Sequence, residues 1–527
     1  MTEQSRAPEG HVQPPTPRDA PPDDDSREEG ERLLRQGSAS VIATAVGKIS
    51  MFALHVLLAR RLGATGYGAF VVAYTIAGLL LKGATFGVPK VVMRGIARTT
   101  DAPSRGRWRE IAATGFTSVA IMSLVLAIAV VGFSMPLAAL FFSEPGGRSL
   151  ILIGAATLPL FGLFDVTQAV LHATRRIVSK QVLRDIGRPL IFLVLAWAAV
   201  EWRARPAAAL VAYGLTGVIL VCAGGLMAWR ALASEPGGVE SYGQSEERMN
   251  VGSMLSASYP FLLAGLMYQA ATYSDRLMLG ALASEASVGL YGAAAVVAQQ
   301  VSGLSITAVA FVVTPVLAKL AVDDSHRERL KSLYVSSTKW MIVVGALIAT
   351  MVFVLREPIL ALFGQDFGAA SGVLTLLLVG HLVFVAVGPS GELLQMGGWE
   401  KLDLKNTAGM VLCNVLLNAL LIPPFGAMGA AIATATSFAA INVAQAVELR
   451  HLYELRPLRN LDVGTKCGVV AVLATGALAG WSAHGIRPVW TALAALAVAA
   501  WTIHAMILTP DERLTIHGII RRLLSDV

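Results

Sequence analysis

The stretch "ATAVGKISMFALHVLLARRLGATGYGAF", residues 43–70, decides the fold. Its first part is an apolar run that ends at Arg60 and Arg61, and a second apolar run opens at Tyr67. Each run continues to about the 20 residues a helix needs to cross a hydrocarbon core about 30 Å thick. Yet Lys48 stands inside the first run. An ammonium facing lipid there costs about 2.5–3.5 kcal/mol, so the residue needs either a partner or a wet cavity.

The same pattern recurs along the chain. Of 527 residues, 55% are hydrophobic and 15% charged, against roughly 25% charged in soluble domains. The apolar residues gather in fourteen blocks of helix length, from 37–59 and 67–93 to 466–483 and 489–508. The expected fold is an all-α integral membrane protein of about 14 transmembrane helices. Cys222, Cys413 and Cys467 each lie within a block and show no CxxC spacing. They read as small apolar side chains, with no disulfide framework or metal site.

The formal charge of +7 reports membrane orientation and not nucleic-acid binding. Let the blocks alternate from a cytoplasmic N-terminus. Then 31 of the 42 Lys and Arg fall in cytoplasmic segments, seven in outer loops, and four (Lys48, Lys82, Lys90 and Arg276) inside helices. That bias predicts cytoplasmic placement of both termini.

A duplication is written into the sequence. Tyr67-Gly68-Ala69 recurs as Tyr291-Gly292-Ala293 at an offset of 224, and Pro89 recurs as Pro315 at an offset of 226. Six helices, an even number, return the chain to the same side, so the repeats are parallel. The expected organisation is a disordered cytoplasmic tail (1–36), a six-helix bundle (37–230), a polar linker (231–250) and a second six-helix bundle (251–450). Two C-terminal helices (451–510) and an amphipathic cytoplasmic tail (511–527) follow. In that tail Ile516, Ile519, Ile520 and Leu523 share a face, and Arg513, Arg521 and Arg522 are available to headgroups.

The charges inside the membrane are the functional candidates. Lys48 and Lys82 each lie twelve residues from the cytoplasmic end of their helices, roughly 18 Å deep at about 1.5 Å per residue. Two ammonium groups at one height in one cavity attract a phosphate. Pairing with a helix carbonyl or a buried acid such as Asp165 is the structural alternative. Asp275 and Arg276 sit about one turn inside the outer face of the seventh helix, Asp275 as an interhelical latch or a substrate contact. Gln269 and Tyr273 share a face with Arg276 and offer donors and acceptors to sugar hydroxyls, although interhelical hydrogen bonds account for them equally. No GxxxxGK[ST], HExxH, GxSxG or CxxC motif occurs, so nucleotide, zinc and esterase chemistry have no support. The outer loops are too short for a conventional active site. The reading is a transporter with no catalytic residues, metal or cofactor.

Four joints carry a further likeness: "LLARRLGATGYGAF", "FGVPKVVMRGIAR", "SDRLMLGALASEASVGLYGAA" and "LIPPFGAMGAAIATATS". In that order they resemble the oligosaccharide and polysaccharide flippases of the multidrug/oligosaccharidyl-lipid/polysaccharide exporter (MOP) superfamily. The two added C-terminal helices are closer in layout to its fourteen-helix lipid II flippases. The resemblance covers about residues 37–450. It implies alternating access that carries a polyprenyl-diphosphate-linked glycan from the inner to the outer leaflet of a bacterial cytoplasmic membrane. It also implies a cationic cavity for the diphosphate, which Lys48, Lys82 and Arg276 fit. Membrane lipids and a polysaccharide polymerase machinery are the implied partners. A drug or cation antiporter of the same superfamily is the first rival, but its cavity should present acids where lysines stand here. A membrane glycan polymerase or ligase is the second, and it needs a sizeable catalytic loop.

Overall fold

The structure is a computed structural model that describes residues 24–98, 105–143, 146–233, 249–320, 326–482 and 488–508. The amino-terminal half comprises α1 (Asp24–Thr85), α2 (Val88–Arg98), α3 (Arg105–Gly132), α4 (Ser134–Phe141), α5 (Gly147–Ala156), α6 (Leu158–Ala173), α7 (Ile177–Gln181), a π-helical turn (Val182–Gly187), α8 (Arg188–Trp202) and α9 (Pro206–Ala233). The second half comprises α10 (Val251–Leu282), α11 (Glu285–Leu320), α12 (Arg327–Val354), α13 (Arg356–Phe363), α14 (Ser371–Val385), α15 (Ser390–Met396) and α16 (Glu400–Tyr453). Two helices follow, α17 (Val463–Ser482) and α18 (Pro488–Thr502). No strand occurs among the described residues. Among the described residues ten stretches of helix are long and apolar enough to cross a membrane, and the chain is an all-α, multi-pass membrane protein.

Two of these helices fold back on themselves. His55 Nδ1 lies 2.9 Å from the Tyr67 hydroxyl, twelve residues further on, whereas a straight helix would hold them about 18 Å apart. The reversal is at Gly63, whose φ of 69° and ψ of 178° are costly for any residue with a β-carbon. Likewise α16 turns at Gly426, with φ 52° and ψ −130°, just after Pro423 and Pro424. Its two arms are joined where Asn406 Nδ2 donates to Glu448 Oε2 at 2.6 Å. Each is a membrane hairpin with a tight turn.

Helix α1 begins at Asp24, inside the segment expected as a tail. Its opening residues include Glu, Arg, Leu and Gln, which favour helix. Residues 1–23, the linker stretch 234–248 and the amphipathic segment 511–527 lie outside the described residues.

Aromatic packing joins the amino-terminal half. Phe161 of α6 stacks on Tyr213 of α9 at 4.1 Å between centroids, and Phe192 of α8 lies 5.2 Å from the same Tyr213. Lipid is as apolar as these rings, so their contribution comes from close contact and not from escape from water. The reverse pattern marks the lipid face, where α3 exposes Leu124, Val125 and Ile128.

The two halves meet most closely at the Gly63 end. A β-carbon on Gly68 would stand 1.7 Å from the Glu285 carbonyl oxygen, and one on Gly289 would stand 2.1 Å from the Ala64 carbonyl oxygen. Backbone there packs on backbone. At the other end α10 leans on the amino-terminal half, with Phe261 under both Lys90 and Arg94 of α2. Helices α17 and α18 pack on the flank of α12, where Thr350 donates to the Val472 carbonyl at 3.3 Å and Ala346 joins Val472 and Ala499.

Candidate functional site: a cationic cavity between the halves

A cavity of about 360 Å³ lies between the two halves, walled by α1, the π-helical turn, the start of α8, α10 and α11. On α1, Thr44, Lys48, Met51 and His55 line it, spaced three or four apart and so on one face. On α11 the stripe is Gly292, Val296, Gln299 and Gln300. The cavity extends from Tyr67 and Gly292, beside the close backbone contact, down to Thr44 and Arg184 near the other end of α1.

Three of its lining residues are cations. Lys48 rests against α11, where a β-carbon on Gly303 would be 3.8 Å from its Nζ. It has no hydrogen-bond or ion-pair partner among the described residues. Arg276 projects from α10 with its guanidinium 5.2 Å from the Tyr273 ring centroid, a cation–π contact. Its Nε is buried and unpartnered. Arg184 sits on the π-helical turn, a rare geometry that often marks functional positions, and it is exposed in the cavity. Asp185 beside it is the one carboxylate in the lining. Three cations around one cavity, against one lining carboxylate, give it a positive balance that suits an anion better than a cation.

Of the six site residues expected from sequence, the cavity brings together Lys48, Tyr273 and Arg276. Lys82 lies elsewhere, inside the amino-terminal half, where it is the strongest charge acting on Asp165 of α6. Asp275 faces away. Its Oδ1 accepts the Arg276 backbone N–H at 2.8 Å and its Oδ2 accepts the Tyr291 hydroxyl. That hydroxyl is also 3.2 Å from Thr434 Oγ1. Gln269 is buried and donates to the Gly78 carbonyl at 3.3 Å, an interhelical bond between α10 and α1.

Arg184, Gln299 and Gln300 of the lining, and Arg188 beside it, are polar residues that sequence reasoning did not single out. In the charge count from sequence, Arg184 and Arg188 fall among the Lys and Arg of the cytoplasmic segments. Instead Arg188 opens α8, donates to the Tyr213 hydroxyl at 3.0 Å and stacks over Phe161 at 5.0 Å. Gln299 and Gln300 carried a usable signal, two adjacent amides in an otherwise apolar block. Among the described residues no group of three His, Cys, Asp or Glu is placed to hold a metal.

Comparison with known proteins follows the same lines. A lipid II flippase (MurJ) in an inward-closed conformation superposes with a TM-score of 0.67, covering 92% of this chain and 99% of that one at 14% identity. An inward-facing multidrug transporter of the MATE family in the MOP superfamily superposes with a TM-score of 0.61, covering 79% and 98% at 15% identity. These show a shared fold. In sequence the chain is 25% identical over 455 residues to the probable low-salt glycan biosynthesis flippase Agl15 of Haloferax volcanii, which spans 85% of this chain and 90% of that protein. The family model described as polysaccharide biosynthesis protein matches residues 33–321. With that match extending over more than half its length, the chain belongs to the polysaccharide biosynthesis protein family.

Proposed function

We propose that this protein is a flippase that moves a polyprenyl-diphosphate-linked oligosaccharide from the inner to the outer leaflet of a bacterial cytoplasmic membrane, feeding cell-surface polysaccharide synthesis. The observation that carries the reading is the trio of cations, Lys48, Arg184 and Arg276, around one cavity between two halves. A diphosphate presents several charged oxygens close together, and separate cations on α1, α10 and the π-helical turn can each take some of them. Tyr273, Gln299 and Gln300 offer hydrogen bonds to the adjoining sugar. The polyprenyl tail stays in the bilayer.

The backbone contact at Gly68 and Gly289 seals one end of the cavity, so this conformation faces the side on which α1 begins, the cytoplasm in our reading. Rocking of residues 37–230 against 251–450 opens the other end. The substrate is relocated and not altered, so no catalytic residue is needed. Both the lipid II flippase likeness in fold and the Agl15 likeness in sequence support a lipid-linked glycan. An antiporter for cationic drugs is disfavoured by a lining with three cations and one carboxylate.

The test is made in cells at matched expression. Lys48→Ala with Arg276→Ala should accumulate cytoplasmic lipid-linked oligosaccharide and lose surface glycan, and Lys82→Ala, outside the cavity, should do so far less. Normal export by the well-expressed double mutant would end the anion-site reading.

A further inference from the structure

The segment that joins α6 to α8 carries a cation that the cavity does not use. It begins at a fixed corner. Arg175 adopts a left-handed backbone, with φ 56°. The Arg175 and Arg176 N–H groups donate to the His172 and Leu171 carbonyls at 3.1 and 2.9 Å, closing α6 in the way a glycine usually does. From Ile177 onward the backbone stays helical through α7, the π-helical turn and α8, with Gln181, Val182, Gly187 and Arg188 all in right-handed helical conformation. On that continuous helix Lys180 and Arg184 stand four apart and share a face. Val178 and Val182 each lie two residues from Lys180, nearly opposite it, and are 56% and 46% exposed. Cations on one side and exposed apolar side chains on the other mark a helix that lies at a membrane surface.

The cationic face leads to the cavity. Lys180 donates to His172 Nδ1 at 3.3 Å and makes no ion pair among the described residues, so its remaining donors are open. Arg184, one turn further along, lines the cavity. The π-helical turn is held against α1 at Gly47, the residue before Lys48. A β-carbon on Gly47 would stand 2.0 Å from the Asp185 carbonyl oxygen. Lys180, Arg184 and Lys48 therefore follow one another from the mouth inward.

We propose that Lys180, with Arg184 one turn further in, forms a loading site at the cytoplasmic mouth that takes the substrate diphosphate from the inner leaflet before it enters the cavity. The inference rests on the reading of the cavity as a diphosphate site and goes beyond it by naming the route in. With Val178 and Val182 among acyl chains, the opposite face meets the level at which a polyprenyl diphosphate carries its charge. Lys180 and Arg184 share that charge. Arg184 belongs to both sites and so passes the headgroup on to Lys48. Because Lys180 meets the headgroup only in passage, it governs how fast the cavity loads and empties and not how tightly the cavity binds.

The experiment uses the full chain in nanodiscs of neutral phosphatidylcholine, immobilised for surface plasmon resonance, with farnesyl diphosphate as the probe and empty discs as the reference. Thermal unfolding is followed in parallel to confirm that each variant is folded. Lys180→Gln should slow association and dissociation together, each about fivefold, whereas Lys48→Gln should weaken equilibrium binding. Lys180→Arg, which keeps the charge, should keep the wild-type rates. Wild-type rates for a folded Lys180→Gln protein overturn the inference and leave the cavity reading standing. So does a loss of affinity without matched slowing in both directions, which would make Lys180 part of the cavity itself. Discs containing phosphatidylglycerol separate the two sources of phosphate. If the advantage of wild type over Lys180→Gln vanishes there, the site holds ordinary anionic lipid and the inference is overturned; if it persists, the site selects the diphosphate. Absence of farnesyl diphosphate binding by wild type overturns the cavity reading, and the inference with it.

Discussion

Asp275 shares its carboxylate between the Arg276 backbone N–H and the Tyr291 hydroxyl, and Tyr291 reaches on to Thr434. One buried chain of hydrogen bonds therefore joins α10, α11 and α16. Removing the hydroxyl leaves a buried carboxylate oxygen without a donor. Tyr291→Phe should therefore destabilise the protein by about 1–3 kcal/mol, seen as a lower unfolding midpoint in detergent. Tyr67→Phe, which loses only a bond to His55, should cost less; equal losses would mean the carboxylate finds another donor. Tyr67 and Tyr291 are the tyrosines paired at the 224-residue offset, and both are fully buried. Their likeness at that offset is visible in the sequence, but their different partners are not, because those depend on which helix lies alongside. The same holds for Lys48 and Lys82. Each is a lone ammonium at similar depth in an apolar block, and only the rotation of each arm of α1 about its own axis decides that Lys48 lines the cavity and Lys82 does not.

At the scale of elements, the join between α1 and α11 depends on the absence of side chains. With a β-carbon on Gly68 only 1.7 Å from the Glu285 carbonyl oxygen, Gly68→Val must push the helices apart where the cavity is sealed. The variant should expose that end. A cysteine at Ala64, in a background where Cys222, Cys413 and Cys467 are serine, should react faster with a membrane-impermeant maleimide once Gly68→Val is added. Labelling that stays slow in a stable protein would show that the seal is not backbone contact. The Tyr-Gly-Ala repeat pointed to this place, and the hairpin was readable from the break between apolar runs. The start of α8 was not. Its arginines and Pro189 look like loop chemistry, and only packing against Phe161 and Tyr213 makes a buried helix start of them.

For the whole molecule, fourteen apolar blocks and a basic bias sufficed to read an all-α membrane protein, because lipid leaves the backbone few alternatives. The cavity needed the structure, since it forms between halves more than 200 residues apart. If the cations of that cavity stay with the protein while the diphosphate crosses, net negative charge moves outward. An interior-negative potential then favours export by about 2.3 kcal/mol per charge per 100 mV, about fiftyfold at equilibrium. Proteoliposomes with a potassium diffusion potential and a fluorescent polyprenyl diphosphate would measure this directly. Transfer to the outer leaflet should speed up when the interior is negative and slow when the potential is reversed. The sign also reports on the protein. Acceleration in the opposite sense would mean that Lys48, Arg184 and Arg276 carry more charge across the field than the headgroup does, and the resting cations, not the cargo, would then set the direction of transport.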